Sequence, residues 1–140
     1  MTYATQQDMV DRFGEREVIE LTDRDNTGVI DVPLLVKFLQ SADDEINGYL
    51  AARYTLPMTS APLILTRLAC DIARYQLCDI RATDLIKQRY DDAVKYLINV
   101  SKGVVSLGVD AGNQVEPVTG GTIKIVSNDR VFSNSTLSDY

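Results

Sequence analysis

The chain has 140 residues, 45% hydrophobic and 24% charged, with 20 acids against 14 bases and a formal net charge of −6. This is the balance of one soluble domain large enough to bury a core. The absence of a bilayer-length apolar run, and of a basic start before an apolar stretch, leads us to expect an intracellular, unprocessed protein. Acids outnumber bases 11 to 5 over residues 1–55, with 5 to 7 over 56–102 and 4 to 2 over 103–140, so no segment carries the basic footprint of a tight nucleic-acid binder.

Thr5-Gln6-Gln7-Asp8 reads as a helix start with an acid in its first turn, and Met9, Val10 and Phe13 supply an apolar side before Gly14 stops it. Glu15 to Leu21 forms another short turn or two. Pieces this short need support from the rest of the fold.

The stretch DRDNTGVIDVPL, Asp23 to Leu34, follows. It matches a calcium-binding EF-hand loop at Asp23, Asp25, Thr27, the Val29 carbonyl and Asp31, with Gly28 at the turn and Ile30 at the apolar eighth position. Its twelfth position is Leu34, where that loop needs a chelating Glu. The same residues make a turn and a helix start without a metal, with Asp31 as cap, Pro33 in the first turn and Leu34 as first core position. The expectation is therefore a structural turn, with Asp23, Asp25, Thr27, Val29 and Asp31 as weak metal candidates only.

From Val32 to Tyr54, Leu35, Phe38, Leu39, Ala42, Ile46, Tyr49 and Leu50 recur at three and four, which predicts a long amphipathic helix. Its polar side is assigned Lys37, Asp43, Asp44 and Arg53. Leu56 to Ser60 breaks it, and Ser60 with Pro62 starts a second helix to about Asp79, burying Leu65, Leu68, Ala69, Ile72 and Tyr75, with Ile64 alongside. A third, from about Thr83 to Ser101, carries Ile86, Tyr90, Ala93, Leu97 and Val100, and Lys102-Gly103 ends it. Cys70 and Cys78 sit about 12 Å apart along one helix, too far for a disulfide, and read as small core residues.

After Gly103 the composition turns to Gly, Ser, Thr, Asn and Val without a helical stripe, and Gly120-Gly121 before Thr122 to Val126 suggests a turn and a short strand. The fold class is mainly α: a compact bundle of about three longer helices plus short N-terminal helices, over residues 1–103, with an extended, partly β C-terminal arm over 104–140. Such an arm is too long for a connection, and is either disordered or ordered by a partner.

Catalytic chemistry is scarce. The chain has no histidine, which removes Ser-His-Asp and Cys-His arrangements, and two cysteines alone make no zinc set. Gly120-Gly121 lacks the Lys-Ser/Thr and the helix of a phosphate loop. The acid pairs Asp43-Asp44-Glu45 and Asp91-Asp92 read as solvated helix faces. The tyrosines at 49, 54, 75, 90 and 96 read as core-edge residues.

The order of features adds one more reading. An N-terminal YAT and RFG, the LTDRDNTGVID loop, DDEINGYLAARYTLP, LTRLACDIARYQL, RYDDAVKYL, KGVVSLGVD and a final RVFSNSTLSDY together resemble the Mu-type phage Gp36 family of small virion-assembly proteins, over almost the whole chain. The resemblance implies a helical fold similar to head-tail connector, or head-completion, proteins, whose subunits form a homo-oligomeric ring beneath the portal. Portal and tail-completion proteins would then be the partners, with DNA present only as passing channel contents. No membrane, cofactor or catalysis is implied, and the location would be the virion and, during assembly, the host cytoplasm. On this reading Tyr49, Arg53, Tyr54 and Pro57 are candidates for the subunit interface. Ile123, Ile125, Phe132, Leu137 and Tyr140 would let the arm attach to a neighbour or the portal. The alternatives are a calcium-responsive binding module built on loop 23–34 and, disfavoured by the acid excess, a helix-turn-helix regulator.

Overall fold

In the computed structural model of the protein, which describes residues 1–109, five α-helices follow one another: α1 (Gln6–Phe13), α2 (Glu15–Thr22), α3 (Val32–Leu50), α4 (Leu63–Cys78) and α5 (Asp84–Ser101). A 3-10 turn at Asp79–Arg81 joins the last two. The protein is mainly helical, as its periodicity predicts.

The helix starts follow from capping chemistry. At α1 the Asp8 amide donates to Thr5 Oγ1 at 3.3 Å while Asp8 Oδ2 accepts the Thr5 amide at 2.7 Å, so two otherwise unpaired donors are satisfied reciprocally. Asp31 Oδ1 accepts the Leu34 amide at 3.0 Å and Pro33 occupies the first turn of α3, as expected. Thr83 caps α5 through the Ile86 amide at 3.4 Å. Gly14 lies between α1 and α2 at φ +87°, a conformation that favours glycine, and turns the chain sharply there.

The apolar stripes meet in one core. Leu35, Ile46 and Leu50 of α3, Leu65, Leu68 and Ile72 of α4, and Leu97 and Val100 of α5 are fully buried. Each such side chain contributes about 1.5–3 kcal/mol of transfer free energy. Met9 and Val18 bring the two short helices onto this core. Two ion pairs tie them down: Arg12 to Asp71 at 3.3 Å and Arg74 Nε to Glu17 at 2.6 Å. Between them lies the Phe13 ring, with the Arg74 guanidinium 4.4 Å from its centre. Both cysteines are free and buried, and burial pushes the Cys70 thiol up to about 12.

Several sequence expectations need correction. The long helix ends at Leu50 rather than Tyr54, because the Arg53 and Tyr54 amides both turn back to the Leu50 carbonyl at 2.9 Å and drop the Tyr54 ring into the core. The second helix starts at Leu63, with Pro62 as its cap residue and no side-chain cap from Ser60. Leu34 is half-buried, and Leu35 is the first fully buried residue of α3. Asp43, assigned to the polar side, is 5% exposed. Residues 104–109, grouped above with the arm, pack on the body through buried Leu107 and Val109.

Candidate functional site

The acidic loop is held by its own hydrogen bonds. Asp23 Oδ1 accepts the Thr27 amide at 2.8 Å and the Thr27 hydroxyl at 3.0 Å, and Oδ2 accepts the Gly28 amide at 2.7 Å. The backbone bonds from Thr27 and Gly28 hold its carboxyl below the usual carboxylate range. Asn26 at φ +55° and Gly28 at φ +78° make the turn. Thr22 closes the loop's base: its hydroxyl donates to the Val18 carbonyl at 2.8 Å and accepts the Asp31 amide at 3.2 Å. The carboxylates of Asp23 and Asp31 thus serve loop and helix amides, while Asp25 and Val29 point outward and exposed. Among the described residues no group of three or more Asp, Glu, Cys or His side chains is placed to hold a metal ion.

The four residues read as an interface are spread over the end of α3 and the following turn. Tyr49 is half-buried, while Arg53 and Pro57 are exposed. Tyr54 is 7% exposed, and its hydroxyl accepts the Leu107 amide at 3.2 Å. The Arg53 guanidinium lies 6.0 Å from the Tyr54 ring centre and against Gly103, whose φ of +78° turns the chain back toward this corner. Tyr54 and Arg53 therefore fasten residues 103–107 to the body. Ile123, Ile125, Phe132, Leu137 and Tyr140 lie outside the described residues.

Two polar clusters escaped the sequence reading. In the first, the Tyr3 amide donates to Asp43 Oδ1 at 3.0 Å, its hydroxyl to Asn47 Oδ1 at 2.5 Å, and its carbonyl accepts the Thr66 hydroxyl at 2.9 Å. One N-terminal residue thereby clasps α3 and α4. Burial pushes the Asp43 carboxyl up against the lowering effect of the Tyr3 amide. In the second, Glu45 accepts the Tyr90 hydroxyl at 2.9 Å and the Gln76 amide at 3.1 Å, joining α3, α4 and α5. Tyr90 stacks on Tyr75 with ring centres 4.1 Å apart, and burial together with the bond to Glu45 pushes its phenol up to about 12. The spacing of Tyr75 and Tyr90 pointed to a helix edge; their pairing with Glu45 needed the packed helices.

A third feature is a groove of about 410 Å³ between α1, α4 and α5. Arg12, Arg67, Arg89 and Tyr96 edge it, over Leu68 and Ala93.

These features define a small helical protein with no membrane-spanning helix among its described residues, whose distinctive chemistry is side-chain presentation on helix faces and one rigid loop. The family described as Bacteriophage Mu, Gp36 matches residues 3–125, and the chain belongs to it. Mu-like prophage FluMu protein gp36 of Haemophilus influenzae is 32% identical over 139 residues, covering 99% of this chain and 97% of the relative. Gene product J of Escherichia phage Mu is 33% identical over 135 residues, covering 95% of each. The protein is thus a phage protein of the Mu type.

Proposed function

We propose that the protein is a structural virion subunit that assembles into a ring below the portal and joins head to tail as a head-completion adaptor, without a catalytic step. The observation that carries this reading is membership of the Mu Gp36 family along nearly the whole chain. Exposed apolar side chains are available for such contacts, Ile80 and Leu85 (94% and 55% exposed) at the corner between α4 and α5 and, elsewhere on the body, Leu63 and Val104 (88% and 73%). A ring needs two different faces of each subunit to meet, and a five-helix body offers them. The partners are further copies of the chain, the portal and tail-completion proteins, with DNA passing through the ring. The work is done in the virion and, during assembly, in the host cytoplasm.

The test combines imaging and genetics. Negative-stain electron microscopy and light scattering on the purified protein should show closed rings, and phage lacking the gene should accumulate unjoined heads and tails. A protein that stays monomeric, from a gene whose loss leaves heads and tails joined, overturns the reading.

A further inference from the structure

Two surfaces of the molecule are opposite in charge, and they share no residue. One is the groove between α1, α4 and α5. It holds three guanidiniums, Arg12, Arg67 and Arg89, against two carboxylates, Asp71 and Asp92. Asp71 is already paired with Arg12 at 3.3 Å. Arg67 and Arg89 make no ion pair among the described residues, so the groove keeps an excess of positive charge beside the half-buried Tyr96 ring.

The other surface is the loop end of the body. Asp23 and Asn26 of the loop line one depression together with Arg81, which places the loop beside the corner between α4 and α5. Acids outnumber bases at this end: Asp23, Asp25, Asp31, Asp79 and Asp84 stand against Arg24 and Arg81, while Glu20 of the same depression is paired with Arg16. It also projects Ile80, Val29 and Leu85, which are 94%, 61% and 55% exposed. The Asp23 and Thr22 bonds hold the loop backbone, which sets where Asp25 projects.

We propose that the loop end of one copy docks in the arginine groove of the next, with Asp25 meeting Arg67 and Arg89 and Ile80 packing on the Tyr96 ring. This rests on the ring reading, which requires a head-to-tail contact between unlike faces, and it names those faces. A nucleic acid in the groove is disfavoured because Asp92 and the neighbouring Asp91 interrupt the basic residues. The contact is ionic at its rim, so it weakens as salt shortens the range of the charges.

The test uses two full-length variants, R67E/R89E for the groove and D25K/I80K for the loop end. All four positions are exposed, and circular dichroism verifies the fold. Sedimentation should show the wild type associating, with either double variant weakened at least about tenfold in Kd. An equimolar mixture of the two should associate again, since each variant keeps one intact face and the two charge-reversed faces are themselves of opposite sign. Variants that associate like the wild type, or a mixture that stays monomeric, overturn the proposal and leave the ring reading standing. Wild-type protein that remains monomeric to millimolar concentration also overturns it, and the ring reading then still answers to the virion experiment above. Nucleic acid bound by the wild type and lost in R67E/R89E, with association unchanged, overturns it in favour of a polyanion site.

Discussion

Asp43 shows how far a single residue can depart from its sequence context. In the run Asp43-Asp44-Glu45 it looks like part of a solvated face, yet it is 5% exposed and receives the Tyr3 amide from 40 positions away. No local pattern reports a partner that distant, so neither Asp43 nor Glu45 could be placed from spacing alone. Asp43→Ala should cost about 1–3 kcal/mol in urea denaturation, because it strands a buried backbone donor. Asp43→Asn keeps an acceptor for that amide and should cost less. The pH dependence separates charge from hydrogen bonding. Burial raises the Asp43 carboxyl in the folded state, so the folded chain holds the proton more tightly than the unfolded one. Its contribution to stability therefore falls as pH rises from the ordinary carboxylate range through the folded value, and is restored on acidification. Asp43→Asn should remove that slope; a variant with the wild-type slope would assign it to another group.

At the scale of elements, boundaries written into adjacent residues were readable, including the stops at Gly14 and Lys102, whereas the end of α3 and the start of α4 were not. Thr5 with Asp8, and Asp31 with Pro33, write their caps into adjacent residues, and both caps form as the local chemistry dictates. The end of α3 is decided instead by Tyr54, which leaves the helical path to meet Leu107 some 53 positions later. The loop between α2 and α3 mixes the two cases. Its turn residues were evident, while the use of Asp23 as an acceptor for Thr27 and Gly28 required the folded geometry. Asp23 is held below the usual carboxylate range by those bonds, so its contribution is present above the unfolded value and lost as pH falls through the folded one. Asp23→Ala should lower the thermal midpoint at neutral pH and flatten its decline in acid. Calcium at millimolar concentration should leave the wild-type midpoint unchanged. A rise with calcium that Asp23→Ala abolishes would instead support the calcium-binding alternative, since a ligand that binds the folded state stabilises it by mass action.

At the scale of the whole molecule, the decisive question is where the body stops. A composition change after Gly103 suggested the boundary, because Gly, Ser and Val without a stripe do not announce burial. In the fold, Gly103 turns the chain back past Arg53, the Tyr54 hydroxyl holds Leu107, and Leu107 and Val109 are 8% and 4% exposed. Two truncations should therefore behave differently. Ending the chain at Gly103 removes two buried apolar side chains and uncovers Tyr54, which should cost about 3 kcal/mol or more in denaturation. Ending it at Val109 keeps those contacts, so that fragment should melt well above the one that ends at Gly103. If residues 110–140 serve attachment, that stable fragment should still fail to join heads to tails when it replaces the full protein. Normal complementation by the stable fragment would place the head-to-tail work in the helical body alone, and R67E/R89E in that fragment would then be the direct test of the arginine groove.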